Sequence, residues 1–263
     1  MPQSRTAPTQ GAVFLSPNSS DLCLIVRYDG TDYHGFQKQP RAHTIQGELE
    51  RVLTGLMGPG RVLGASRTDS GVHAAGQVAV WRGPITIPVA RIPEVMNHRL
   101  APAVRIREAW LVAPGWDPRR AARAKQYSYR VWRGPEPPTL AWQRLVVPAA
   151  GPLDWQRLQA AAARFLGTHD FRAFRTEGSS AETTVRRILA SGWHMEEHGR
   201  IWRYQVIGDG FLYRMVRHMA GSMLKAAEPG GSLMEIESGL ADPSAKVPAL
   251  APASGLMLDW IQC

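Results

Sequence analysis

Apolar positions first gather at Leu22 to Tyr28 (LCLIVRY), a continuous β-prone run closed by the turn pair Asp29-Gly30, which reads as a buried strand. A polar loop follows as far as Pro40. Thr44 can cap a helix, because Ile45, Leu49, Val52, Leu53 and Leu56 recur at helical spacing until Gly58-Pro59-Gly60 stops it. The pattern next predicts a short strand at Val62 to Ala65, a strand at Gln77 to Trp81, a helix near Val89 to Leu100 and a strand at Val104 to Val112. The second half repeats that order. It has a strand at Tyr127 to Trp132, a helix at Leu153 to Leu166, hairpin strands at Val185 to His194 and Ile201 to Ile207, and a helix at Phe211 to Ala227. One extra helix precedes a closing strand, Leu256 to Ile261.

Two βαββαβ halves predict an α+β chain of two tandem ferredoxin-like units, whose antiparallel sheets are covered by helices on one face and bare on the other. The expected divisions are a loose, Ser-, Pro-, Thr- and Gln-rich tail at 1–20, a first unit at 21–114 and a second at 115–263. A cleft between the bare faces suits a ligand. The connector Gly115 to Lys125 (GWDPRRAARAK) is basic, and its arginines read as phosphate contacts or as a solvated surface run.

Composition sharpens this only in part. With 263 residues, 44% of them apolar, the chain can bury a substantial core, and a net charge of +9 gives its surface a positive potential suited to a polyanion such as nucleic acid. Only four of the 31 basic residues are lysine, leaving 27 arginines, which grip phosphate bidentately and stack on bases. A genome rich in G and C produces the same bias, so charge alone does not name the partner. Cys23 and Cys263 form neither a metal spacing nor a disulfide scaffold, which favours a reducing cytoplasm. No apolar run approaches the roughly 18 residues of a membrane span, and the N-terminal residues lack a signal core.

The chemistry concentrates in Ser66 to Ala75 (SRTDSGVHAA), which packs Arg67, Asp69 and His73 around Gly71 between two predicted strands. On spacing alone the default is a polar connection in which Asp69 bonds its own backbone. An aspartic protease reading of Asp69-Ser70-Gly71 needs a second such loop to share a proton, and the chain has one, preceded by Arg67 and Thr68 where an apolar approach is required. His194-Met195-Glu196-Glu197-His198 matches a zinc peptidase pattern that works on a helix, but its alternation and His198-Gly199 predict a hairpin, so no metal is expected. Tyr127 and Tyr129 fall on one face of a strand, where they fill core or stack a base. On the predicted helix of FLYRMVR, residues Phe211, Leu212, Met215 and Val216 make a core stripe beside Arg214 and Arg217. Arg217 there needs a carboxylate, and Asp69 is a candidate.

Read together, these segments resemble the TruA family of tRNA pseudouridine synthases, from about Leu22 to the C terminus. The matching stretches in order are YDGTDYHGFQKQP (Tyr28 to Pro40), TIQGELE (Thr44 to Glu50), SRTDSGVHA (Ser66 to Ala74), KQYSYRV (Lys125 to Val131), DFRAF (Asp170 to Phe174), FLYRMVRHMAGSML (Phe211 to Leu224) and APASGLMLD (Ala251 to Asp259). The resemblance implies two ferredoxin-like units sharing a continuous, mainly antiparallel sheet with an interdomain cleft, in a homodimer. It implies isomerisation of uridines 38, 39 and 40 in the anticodon arm of tRNA without an external cofactor. Asp69 is then the nucleophile, Tyr127 contacts the base and assists proton transfer, Arg67 helps open the stem and hold the flipped nucleotide, and Arg217 pairs with Asp69. Leu212 and Arg214 join the substrate contacts, and His73 stays outside the catalytic set. Attack at C6, attack at C1′ and a glycal route all stay open, with the sugar route preferred. Departures are Ser70 for the usual alanine, Phe36 for a common tryptophan, and Leu100-Ala101-Pro102-Ala103-Val104 for LPxDI. The rival from another class is an RNA-binding module without the chemistry.

A tRNA partner makes salt a sharp test. Neutralising roughly 6 to 10 phosphates costs about 10³ to 10⁵ in affinity between 50 and 200 mM salt. Filter binding across that range should show the steep loss, and a flat response contradicts a phosphate-anchored complex.

Overall fold

The computed structural model describes residues 16, 19–178, 182–242, 244–245 and 247–263, so the N-terminal tail expected at 1–20 lies almost wholly outside the described residues. Among the described residues a single sheet of ten strands runs through both halves. The first half supplies β1 (Asp21–Tyr28), α1 (Ile45–Met57), β2 (Arg61–Gly64), β3 (His73–Arg82), α2 (Ile92–Asn97) and β4 (Val104–Val112). A short helix in the connector, α3 (Pro118–Ala121), leads to β5 (Ala124–Trp132) and β6 (Val147–Pro148). There follow α4 (Trp155–Arg164), β7 (Gly167–Asp170), β8 (Val185–Glu196), β9 (Ile201–Gly208), α5 (Met215–Ala227), α6 (Met234–Ala241) and β10 (Leu256–Gln262).

The strand order is β4-β1-β3-β10-β5-β9-β8-β7, with β2 beside β3 and β6 beside β5. Neighbours are antiparallel except β5 with β6 and, at the seam between the halves, β3 with β10. There the last strand meets β3 over two pairs only, Met257 with His73 and Leu258 with Ala74. Pairing stops at Asp259, where the β10–β5 register slips by a bulge and Gly76 lies so close that a Cβ would stand 2.7 Å from the Asp259 carbonyl oxygen. The far end of the same β3 edge is held by β2, from Arg61 with Arg82 to Gly64 with Ala79. The chain from Ala65 to Val72 therefore crosses the gap between two partners of one strand.

Local chemistry explains the helices that bracket this gap. Thr44 caps α1 by accepting the Gly47 N–H, and Ile45, Leu49, Val52 and Leu53 are buried on its inner side. Each such side chain contributes about 1.5–3 kcal/mol by leaving water. Glu50 of α1 accepts from Val62 N at 3.0 Å and from Lys38 Nζ at 2.9 Å, tying helix, β2 and the preceding loop together. One core continues through both halves, from Leu24 and Leu49 to Phe174 and Met219.

Several elements differ from the sequence expectation. The helix expected over Val89 to Leu100 is a 3-10 turn, Val89–Arg91, running into α2, which ends at Asn97. The Asn97 side chain there bonds both the N–H and the carbonyl of Ile106, each at 2.8 Å. The helix expected from Phe211 starts only at Met215, because Arg214 at its N-cap is left-handed, φ 61°. Phe211 and Leu212 thus precede the helix, and the stripe they were to form with Met215 and Val216 is not one helix face. The strand expected at Gln77 begins at His73, and the connector carries an Asp117-capped turn of helix.

The loop after β1 lies along the Ala65–Val72 segment through backbone bonds, Phe36 N to Thr68 O at 3.1 Å and Gly71 N to Tyr33 O at 3.3 Å. That approach leaves no room at Gly35, whose φ is +82° and whose added Cβ would stand 2.6 Å from the Thr68 carbonyl oxygen. Gly35→Ala should destabilise the chain by about 2 kcal/mol or more. Denaturant unfolding measures this, and an unchanged midpoint would show that the loop yields instead.

Candidate active site

The crossing segment is held rigid before it reaches Asp69. Gln77, fully buried on β3, clamps the Ser66 backbone from both sides, accepting from Ser66 N at 3.2 Å and donating to Ser66 O at 2.7 Å. Thr68 Oγ1 lies 2.8 Å from the Tyr28 hydroxyl. Asp69 follows at the turn, where its backbone carbonyl accepts Val72 N at 3.1 Å. Among the described residues its carboxylate takes no bond from its own backbone. It faces α5 instead: Arg217 Nη1 donates to Asp69 Oδ2 at 3.1 Å, while Arg217 Nε donates to the Ala251 carbonyl at 2.8 Å.

The pair is sheltered, with Arg217 12% and Asp69 16% exposed, so its attraction is screened less than that of a surface pair. Arg214 Nε stands 3.8 Å from the same oxygen, and its guanidinium lies 4.8 Å over the Tyr213 ring. The backbone at Arg214 is left-handed, φ 61°. Such a conformation costs a non-glycine residue about 1–3 kcal/mol and persists only where surrounding contacts enforce it.

Tyr127 on β5 is the second arm. It is buried, its hydroxyl lies 3.0 Å from Ser66 Oγ, and its ring meets Phe211 edge-on at 5.1 Å. Burial pushes its phenol up to about 12, with the Ser66 bond pulling the other way and the Asp69 charge adding to the rise. It is therefore a protonated donor at neutral pH. Tyr129 shares the strand face but is fully buried, and among the described residues its hydroxyl has no hydrogen-bond partner. Of the two, only Tyr127 reaches the polar groups of the crossing segment.

The remaining candidates separate. Arg67 is exposed at the rim and, among the described residues, enters no hydrogen bond or ion pair. Leu212 is buried just before α5, and its carbonyl accepts Met215 N at 3.1 Å. His73 is buried as a clamp: Nδ1 accepts from Gly30 N at 3.1 Å and Nε2 lies 3.1 Å from the Ser254 carbonyl, joining the first loop to the entry of β10. The HMEEH segment closes the β8–β9 hairpin, with His198 left-handed in the turn. Sequence reasoning overlooked Ser66, Gln77 and Lys125. Lys125 had a usable signal, since it stands two residues before Tyr127 on a strand and so on the same face.

Comparison with known proteins gives a consistent result. Residues 24–113 and 161–261 match the family described as tRNA pseudouridine synthase. The matched segments contain Asp69, Arg67, Leu212, Arg214 and Arg217, and Tyr127 lies between them. Similar relatives include tRNA pseudouridine synthase A of Acetivibrio thermocellus, 42% identical over 203 residues, 77% of this chain and 82% of the relative. Proteins of the same name from Maridesulfovibrio salexigens and Clostridium kluyveri are 37% and 35% identical, covering 89% and 92% of this chain and 87% and 98% of their own.

The buried imidazoles make a pH prediction. Burial holds His73 below its ordinary 6.5 against the opposing charge of Asp29, and holds His218 below it too, with Arg217 and Arg214 adding to the effect. The unfolded chain then takes up these protons first. Stability is full above pH 6.5 and is lost as pH falls from there, by at most about 1.4 kcal/mol per pH unit for each group. Proton NMR should find both titration midpoints below 6.5, and unfolding midpoints that rise from about pH 7 to about pH 5.5 would contradict the assignment.

Proposed function

The chain belongs to the tRNA pseudouridine synthase family, and from that premise we propose how its own residues carry the reaction and where on tRNA it acts. It is an isomerase that converts uridine in tRNA to pseudouridine. The proposed targets are positions 38, 39 and 40 of the anticodon arm. The observation that carries the residue assignment is the Asp69 carboxylate, fixed by Arg217 at 3.1 Å in a sheltered seam beside Tyr127.

Asp69 is the nucleophile. Its geometry suits this because Arg217 occupies one oxygen and anchors itself on Ala251, leaving the other oxygen for an electron-poor carbon. Isomerisation breaks the bond between N1 and C1′, turns the base and joins C5 to C1′, while C5 loses a proton and N1 gains one. A uridine stacked in its arm cannot reach a carboxylate that is 16% exposed, so the nucleotide must be extruded at a cost of a few kcal/mol. Arg67, unpaired at the rim among the described residues, holds the displaced backbone. Tyr127 meets the base, with Leu212 and Arg214 bordering it. Two ferredoxin-like units at 21–114 and 115–263, a homodimer and a cytoplasmic setting complete the proposal. Among the described residues no helix is long and apolar enough to cross a membrane.

Tritium release from tRNA labelled at uridine C5 tests the reading. The wild-type chain should release label, Asp69→Asn should lose at least about 10³-fold in rate, and transcripts lacking uridine at 38, 39 and 40 should release none. Tight binding without release favours a binding module, and equal release by Asp69→Asn overturns the nucleophile.

A further inference from the structure

Lys125 is an unusual neighbour for the site. It shares the β5 face of Tyr127, and its ammonium donates to the Ala65 carbonyl at 3.0 Å and to Ser66 Oγ at 3.4 Å. No carboxylate side chain pairs with it among the described residues. The charged groups that bear on it are Arg119 of α3, Arg186 of β8 and Cys263 at the chain end. Ser66 Oγ in turn lies 3.0 Å from the Tyr127 hydroxyl, whose sole hydrogen-bond partner it is among the described residues.

Donor and acceptor counting allows this chain of groups a direction. An ammonium has three donors and no acceptor, so its bond to Ser66 uses one of the two oxygen lone pairs and keeps the serine hydrogen available to the Tyr127 oxygen. In the arrangement where Ser66 donates, Tyr127 accepts and its own hydrogen is turned away from Ser66, towards the seam that holds Asp69. We propose that Lys125 and Ser66 are positioning residues that orient the Tyr127 hydroxyl as a donor to a carbonyl oxygen of the extruded uracil. This rests on the reading above that Tyr127 meets the base. The orientation serves either route of attack. When the N1–C1′ electron pair leaves with the base, or when a nucleophile adds at C6, the negative charge spreads onto the ring carbonyls, where a pre-aimed donor strengthens. No proton need be transferred along the chain.

The charge state of Lys125 supplies a pH handle. Burial pulls its ammonium down to about 8, opposed by Cys263 and reinforced by Arg119 and Arg186, so the charged form is present at neutral pH and is lost as pH rises through that value. Lys125→Met and Ser66→Ala should each slow single-turnover isomerisation about tenfold with tRNA affinity unchanged, because the donor remains but is no longer aimed. In a Tyr127→Phe background, adding Lys125→Met should cost less than about twofold, since its effect passes through the missing hydroxyl. The ratio of wild-type to Lys125→Met rates should fall towards one between about pH 7 and about pH 9.5, uridine ionisation cancelling in the ratio. Full rate in Lys125→Met, an undiminished loss in the Tyr127→Phe background, or a ratio independent of pH overturns the proposal. Ser66→Ala, which removes one small hydroxyl, keeps the test sound if Lys125→Met does not fold. A readout independent of turnover separates this from failure of the proposed function. In protein labelled with [13Cζ]tyrosine, the Tyr127 resonance should move in both Ser66→Ala and Lys125→Met, and movement in Ser66→Ala alone overturns the relay whatever the activity.

Discussion

An ion pair at 3.1 Å between Asp69 and Arg217 forms only if the turn after β2 and the first turn of α5, 148 residues apart in sequence, arrive at one edge of one strand. Arg217 fixes both sides of that meeting, since its second nitrogen holds the Ala251 carbonyl in the segment that leads into β10. The closing strand is thereby delivered beside β3, and its two-residue pairing is the seam on which the halves share a sheet. Removing either partner of a fully buried pair costs about 3–5 kcal/mol through the charge left behind, and less here because both groups keep some solvent. The interaction is as much a registration device for the fold as an electrostatic feature of the site.

The neighbouring polar groups follow from the same crossing. A backbone that leaves a sheet between two strands exposes its N–H and carbonyl groups to the interior, where each must be satisfied. Gln77 takes both groups of Ser66, the Thr68 carbonyl takes Phe36 N, and Lys125 takes the Ala65 carbonyl. His73 closes the other end against Gly30 and Ser254. On β10, Asp259 is bound by Gln126 and Ser128, and burial pushes its carboxyl up. The loop that carries Asp69 is therefore positioned by rigid elements from both halves, which sets its carboxylate before any ligand arrives.

Much of this architecture was legible because periodicity is local. The β1 run, the capped α1, the β4 and β5 strands and the β8–β9 hairpin announce themselves within ten or so residues, and the repeated βαββαβ order gives the fold class. What was not legible depends on partners far along the chain. The start of α5 was missed because a left-handed Arg214 is a poor choice locally and is enforced only by its surroundings. The early start of β3 was hidden because His73-Ala74-Ala75 carries no alternation, and its pairing with β10 lies far along the chain. The two-residue β6 and four-residue β7 are too short to have a period. Asp69 stood out as polar and loop-borne, but its spacing alone favoured an ordinary turn, and its proposed role came from resemblance to a family. The contacts of Ser66 could not have been read from one sequence at all.

The arginine excess divides in a way that composition could not reveal. Some guanidiniums are structural: Arg119 in the connector donates to the Gly64 carbonyl, Arg105 to Ala101 and Val104, and Arg186 to Thr183 and Val185. Others, Arg67, Arg120 and Arg123, are exposed, and among the described residues their side chains bind nothing. The connector thus holds both kinds, which settles neither of its two sequence readings for the whole stretch. At the seam the same division has a consequence. Asp69 already has Arg217 as a close partner, so an approaching polyanion need not strip that arginine away to find a counter-charge. In the proposed reading Arg67, unpaired among the described residues, is available to it, and Arg214, at 3.8 Å and one-third exposed, can turn towards it while the tighter pair stays intact. On the proposed reading the site holds a carboxylate and receives a phosphate backbone within a few ångströms, which such a separation of tasks serves, and arginine, with five donors in a rigid fork, allows one residue type to perform both.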